Sequence, residues 1–221
     1  MQFNTETTSG GGEIEIDIDH LTIAGWTGRD AAAVQHHIDE LAEIGVAPPS
    51  QVPLFYRVSN DLLTTRGQIE VLGAASSGEA EPMLIRHAGK TWLGLGSDHT
   101  DRELEATSVA ASKQVCAKPC ATTLWDLDLV VDRLDQLTIQ SWIFEGDEWR
   151  LYQDGTLKQI RPLLDLAQAS GLKDGCAMLC GTFAAIGGVR AAAKFRAKMC
   201  DPVRMAEITL EYHATPLPII S

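Results

Sequence analysis

The sequence predicts an α+β fold: one domain built on a mixed, mostly antiparallel β structure, with about three helices laid over it. Three observations predict it. Short alternating or continuous apolar segments separated by Asn, Gly and Ser turns dominate the chain. Few stretches combine helical spacing with freedom from Gly and Pro. No internal repeat occurs at a period of about 20 to 50 residues, which sets solenoids and propellers aside.

Composition narrows the function. Of 221 residues 45% are apolar, enough for a buried core and against disorder. Thirty Asp and Glu against 18 Lys and Arg give a formal charge of −12. Nucleic acid and anionic membrane are therefore not expected partners, because either needs a basic face. No apolar run approaches the ~18 residues of a membrane span and residues 1–20 carry no apolar leader, so a soluble, cytoplasmic protein is expected. Five cysteines, an odd number, read as reduced thiols.

The elements follow in order. Residues 1–12, polar from Thr5 to Ser9 and then Gly10 to Gly12, lack any period and read as a disordered tail before a single domain over 13–221. Residues 13–19 alternate acids with isoleucine, the period of a half-buried strand, and 21–25 add a second. A helix is expected over 29–44, with Ala33, Ile38, Leu41 and Ile44 on its apolar side, Asp30 as cap, and Pro48, Pro49 and Pro53 ending it. Strands are expected at 54–58, 67–72, 80–87 and 90–96, then a helix at 104–113 behind the capping acids of 98–101. The remainder reads as strands at 138–144, 149–152, 176–182, 193–199 and 205–212, with a helix at 159–169.

The segment from Gly78 to Ala106 says most about chemistry. If Ala88 and Gly89 form the turn, paired positions sum to 177, so Glu81 faces Gly96 and Glu79 faces Asp98. Opposed residues share a face, as do i and i+2 in one strand, so Glu79, Glu81 and Asp98 converge at the open end of the hairpin. A four-residue loop keeps that pairing, whereas a three-residue loop moves Asp98 to the other face. Like charges beside an apolar hairpin call for a cation, and an all-oxygen donor set suits Mg²⁺ or Mn²⁺. The plainer alternative is that Glu79 and Glu81 solubilise a turn while Asp98 caps a helix. Arg102 and Glu105, four and seven residues after Asp98, share a helix face. That arginine either neutralises acid charge, holds a substrate carboxylate, or forms an ordinary helix salt bridge.

These residues resemble the fumarylacetoacetate hydrolase superfamily, whose catalytic domain carries E-x-E and then N-D-x-x-x-R-D. Here Glu79-Ala80-Glu81 and Ser97-Asp98-His99-Thr100-Asp101-Arg102-Glu103 stand in their places. Lys118, twenty residues after Asp98, matches the family's catalytic lysine. Pro53 to Arg57 resembles its P-x-x-F-x-K strand, with Arg57 in place of lysine. Tyr152 to Thr156 resembles its R-Q-x-G-x-T turn, and Gly181 to Gly187 its G-T-P-x-G-V-G loop. The order agrees from about residue 20 to the end. Departures are Ser97 for Asn, Glu105 for Gln, no proline in the Gly181 loop, and 17 residues between Glu81 and Asp98, which leaves a tight hairpin where a crossover is usual.

The resemblance implies a β-roll homodimer in which Glu79, Glu81 and Asp98 hold Mg²⁺ or Mn²⁺. The implied reaction is C–C bond hydrolysis of a 2-oxo or 2,4-dioxo (acylpyruvate-type) acid through a metal-stabilised enolate, with Lys118 beside the developing charge. It further implies substrate contacts from Arg57, Arg102, Gln153, Gly181 and Thr182. Water activation is implied for His36 or His37, with Asp39 and Glu40 following; His36 is preferred because Glu40 lies four residues on. Decarboxylation of a 2-oxo acid or keto–enol isomerisation would use the same apparatus, and a non-catalytic organic-acid binder would keep the ligand frame without turnover. The cysteine pairs 116/120 and 176/180 read as core packing rather than a zinc site. Trp125, Trp142 and Trp149 read as core or dimer interface. The glycines at 187 and 188 lack dinucleotide-site context, and no G-x-S-x-G, H-E-x-x-H or P-loop occurs.

Overall fold

The computed structural model describes residues 1–43 and 48–220. Two mixed β-sheets carry them. The larger has eight strands in the order Gly10–Glu15, Gln2–Thr7, Thr123–Asp126, Lys90–Ser97, Ala80–His87, Cys176–Leu179, His20–Gly25, Leu54–Val58. The smaller has five, in the order Glu148–Thr156, Thr138–Glu145, Lys194–Asp201, Ala206–Leu217, Gln68–Leu72. Helices Ala31–Glu43, Arg102–Glu105, Val109–Gln114 and Leu163–Ser170 flank them. Most pairings are antiparallel, but parallel joins such as Cys176–Leu179 on His20–Gly25 and Ala206–Leu217 on Gln68–Leu72 knit distant segments together.

Strand alternation sends successive side chains to opposite faces and so builds two cores. Leu84, Leu93, Leu95 and Trp125 pack toward Ile139, Phe195 and Met199 of the smaller sheet. Met83, Ile85, Trp92 and Leu124 pack on the other face with Leu21, Ile23 and Phe3. Cys116, Cys120 and Cys180 are buried in these cores, and all five cysteines are free thiols. Trp125 is likewise core, whereas Trp142 and Trp149 are half-buried under the Arg196 guanidinium, 5.1 and 4.5 Å from their ring centroids. No helix among the described residues is long and apolar enough to cross a membrane.

The hairpin has the register expected of it. His87 pairs with Lys90 and Glu81 with Gly96, and the Asp98 N–H donates to the Glu79 carbonyl at 3.0 Å. Ala88 and Gly89 turn with φ of +50° and +75°, the two left-handed residues of a tight two-residue loop.

Several expectations are corrected. Residues 1–12 are not a loose tail: Gln2–Thr7 and Gly10–Glu15 form a hairpin, and the first strand lies parallel to Thr123–Asp126. Phe3 and Thr5, both buried, supply the alternation, but the strand that ties the hairpin into the sheet comes from a distant part of the sequence. The 104–113 helix is two short ones, because Asp101 accepts from the N–H groups of Glu103 and Leu104 while Ser108 accepts from Ala111 and starts a second turn. The helix expected from 159 begins at Leu163, since Pro162 keeps the residue before it out of helical geometry. Tyr152 to Thr156 is the end of a long strand, not a turn.

Candidate active site

The hairpin brings Asp98 to the place where two lysines reach it. Gly96, opposite Glu81, has no side chain, and a Cβ there would meet Leu179 at 2.4 Å. That close packing lets the chain after Lys118 lie along the hairpin, with the Ala121 N–H donating to the Leu95 carbonyl at 2.8 Å. Lys118, fully buried, places Nζ 3.2 Å from Asp98 Oδ1 and donates to the His99 carbonyl at 2.5 Å. From the other side Lys113, on helix Val109–Gln114, donates to Asp98 Oδ2, and its Nζ lies 5.7 Å from the centre of the Tyr56 ring. Asp98 itself is 1% exposed. Burial alone would raise its pKa, but the two ammonium groups outweigh burial and hold the carboxyl well below the usual range. Burial works against the charge of Lys113 too, and there Asp98 wins and pushes it up. Lys118, further from full pairing, is lowered by burial.

The two glutamates are fixed from different elements. The Gly181 N–H donates to Glu81 Oε2 at 2.7 Å, and Arg102 Nη1 donates to Glu79 Oε2 at 3.1 Å and to Glu105 Oε2 at 3.0 Å. Arg102 is itself anchored on Ser77, through Nε to the hydroxyl and Nη2 to the carbonyl. Burial raises Glu79 and raises Glu81 further, with Asp98 adding repulsion to Glu81. The cluster thus sets the acids Glu79, Glu81, Asp98 and Glu105 against the bases Arg102, Lys113 and Lys118.

The residues expected to bind substrate take up framework duties. Gln153 is fully buried: Oε1 accepts from the Ala80 N–H at 2.8 Å and the Ser141 hydroxyl at 2.7 Å, while Nε2 donates to Thr182 Oγ1 at 2.5 Å and the Phe183 carbonyl at 3.0 Å. Those four bonds use its whole hydrogen-bonding capacity. Thr182 donates to the Ala80 carbonyl at 2.7 Å, so the Gly181–Thr182 segment is clasped to the start of strand Ala80–His87. Gly181 adopts φ +92°, and a Cβ there would lie 1.7 Å from Thr27 Oγ1.

Arg57 is not brought to this cluster. Successive strand residues face opposite sides, and in Leu54–Val58 it is Tyr56 that meets Lys113. Arg57 instead approaches His20 Nδ1 at 2.9 Å and lines a groove of about 360 Å³ with Phe55, Lys173 and Cys176. His36 is exposed on helix Ala31–Glu43, where it has a contact of its own. The side chains of His37 and Glu40 lie outside the described residues.

Sequence reasoning missed Lys113 and His99. His99 is completely buried, with Nδ1 2.8 Å from the Tyr212 hydroxyl and Nε2 2.8 Å from Ser76 Oγ, and Tyr212 is 2.9 Å from Ser97 Oγ. Burial, reinforced by Lys118 and Arg102, lowers its pKa to about 3, so it is neutral. The sequence carries no signal for Lys113 beyond its place five residues before Lys118.

A hard divalent ion fits the donor chemistry. Three carboxylates share one dry end of the hairpin, Asp98 Oδ2 is held by the Lys113 ammonium, and Glu79 and Glu81 each have one oxygen fixed by a protein donor. Among the described residues no three His, Cys, Asp or Glu side chains close around a single ion position.

The family described as "Protein of unknown function (DUF2848)" matches residues 24–212. The chain belongs to that family. No curated protein matches this DUF2848 chain. Among solved structures it is similar to Cg1458 with inhibitor, at 17% identity and a TM-score of 0.68 over 95% of this chain and 81% of that one. It is also similar to 2-keto-3-deoxy-D-arabinonate dehydratase complexed with magnesium and 2,5-dioxopentanoate, at 13% identity and a TM-score of 0.61 over 91% and 75%. A third is 5-carboxymethyl-2-hydroxymuconate delta-isomerase from Mycobacterium smegmatis, at 11% identity and a TM-score of 0.61 over 95% and 82%. At these identities what is shared is the fold.

Proposed function

We propose that the chain is an enzyme of enolate chemistry on small 2-oxo acids, a divergent branch of the fumarylacetoacetate hydrolase superfamily. Glu79, Glu81 and Asp98 would hold a divalent ion, Mg²⁺ or Mn²⁺. The observation that carries this reading is the Asp98 carboxylate pinned between buried Lys113 and Lys118 at the register position opposite Glu79. The fold relatives support it, since one is complexed with magnesium and a 2-oxo acid and another is an isomerase.

When bound, the ion supplies Lewis-acid polarisation of the substrate carbonyl. Lys118 contributes fixed positive charge where negative charge develops on the enolate oxygen, in surroundings dry enough to make that charge effective. Asp98 holds the Lys118 ammonium in place, and the His99 carbonyl fixes its second direction. Arg102 orients Glu79, and the Gly181 N–H orients Glu81. Gln153 and Thr182 are positioning residues that keep Gly181 against the strand.

The first form of the reaction is C–C bond hydrolysis of an acylpyruvate, with His36 or His37 and Glu40 activating water. One observation favours the second form, isomerisation or decarboxylation. Among the described residues, the histidine at the cluster is His99, whose ring nitrogens are both engaged, by Tyr212 and Ser76, and offer none to water. The test is a spectrophotometric screen of acylpyruvates and oxaloacetate, with and without Mg²⁺ or Mn²⁺, on wild type, Asp98→Asn and Lys118→Met. Turnover lost in both variants with unchanged circular dichroism supports the reading, and turnover that survives both overturns it. Metal binding without turnover across the panel favours an organic-acid-binding protein.

A further inference from the structure

We propose that Lys113 is a built-in counter-ion for the carboxylate pocket, and that a divalent ion enters between Glu79, Glu81 and Asp98 only by displacing the Lys113 ammonium toward Glu105. This inference rests on the proposed metal site and concerns what already stands in it. A three-carboxylate pocket without a cation is costly when buried, because like charges repel and desolvation disfavours each of them. The chain meets that cost itself. Lys113 enters from helix Val109–Gln114, passes beside Tyr56 and donates to Asp98 Oδ2, while Lys118 approaches Oδ1.

The two lysines differ in freedom. Lys118 is tied by its backbone to strand Leu63–Thr64 and by Nζ to the His99 carbonyl. Lys113 has Asp98 as its one ion-pair partner among the described residues, and it lies on a six-residue helix capped by Ser108. Glu105 gives it somewhere to go. That carboxylate is on the preceding helix, is 29% exposed, and already bridges to Arg102. An ammonium on a four-carbon stem can change partner by rotamer alone. The exchange puts two charges where one stood and frees Asp98 Oδ2 as a metal donor, while Oδ1 stays beside Lys118.

The test is Mn²⁺ binding by titration calorimetry to wild type, Lys113→Met and Lys113→Gln. Removing a like charge from contact with the site should tighten binding at least about tenfold in both variants. Wild type is also acetylated with a water-soluble reagent with and without saturating Mn²⁺, and Lys113 is followed by mass spectrometry. Reactivity at Lys113 that rises with Mn²⁺ supports displacement, and this readout holds even where a variant fails to fold. Stoichiometric Mn²⁺ binding of equal affinity in all three proteins, with Lys113 inert throughout, overturns the inference while leaving the metal site standing. Absence of Mn²⁺ binding in folded wild type and variants overturns the metal reading and this inference with it.

Discussion

The Gly181 N–H and the Glu81 carboxylate, one hundred residues apart in the chain, meet at 2.7 Å. The bond exists because Gly181 can take φ +92° with Thr27 packed where a side chain would be. Gly181→Ala should therefore cost about 1–3 kcal/mol of stability from backbone strain and collision. Urea denaturation checks it, and a variant as stable as wild type would show that the loop relaxes without this conformation.

Gln153 should matter for folding more than for substrate affinity. Gln153→Leu leaves the Ala80 N–H, the Ser141 hydroxyl and the Phe183 carbonyl without their buried partner. The expected loss is about 3 kcal/mol or more. A thermal or urea melt reads it, and a loss under about 1 kcal/mol would mean water or a neighbour replaces the amide.

Acid should weaken the fold through His99. Burial, with Lys118 and Arg102 adding to it, lowers this histidine from 6.5 to about 3. The unfolded chain therefore takes up the proton first as pH falls. The stabilisation is complete above the unfolded value of 6.5 and is lost progressively down to about 3, at up to ~1.4 kcal/mol per pH unit. Asp98, held low by its two lysines once burial is overcome, acts in the same direction below its ordinary value, whereas raised Glu81 acts oppositely. Comparing wild type with His99→Gln between pH 4 and 7 isolates the histidine, whose removal should flatten the profile.

The hairpin turn can be improved. Ala88 bears φ +50°, a left-handed conformation that disfavours a Cβ by about 1 kcal/mol. Ala88→Asn should raise the melting temperature, since asparagine before glycine suits this turn. A fall would indicate that the turn is not strained in solution.

The site was legible where local rules decide geometry. Strand alternation and a two-residue turn fix the register of residues 79–98, and they placed Glu79 opposite Asp98 without any knowledge of the rest of the fold. The same rules fail where the partner is distant. The hairpin of Gln2–Thr7 and Gly10–Glu15 is held in the larger sheet by Thr123–Asp126, and a short polar segment carries no trace of that neighbour. Arg57 illustrates a subtler failure: the motif fixes its number but not its face, and Tyr56 occupies the face toward Lys113. Lys113 escaped notice because a lone helix lysine looks like solvent-facing charge, and the Asp98 carboxylate that draws it inward lies on another element.

Tyr212 belongs to the smaller sheet, yet its hydroxyl lies within hydrogen-bond reach of both Ser97 and His99 on either side of Asp98. The two sheets are therefore riveted together at the chemistry itself. Opening either one would unseat the other, so slow amide exchange around Ser97 should vanish in a single step with that of strand Lys194–Asp201. A minimal fragment carrying the acidic hairpin alone would not inherit its properties.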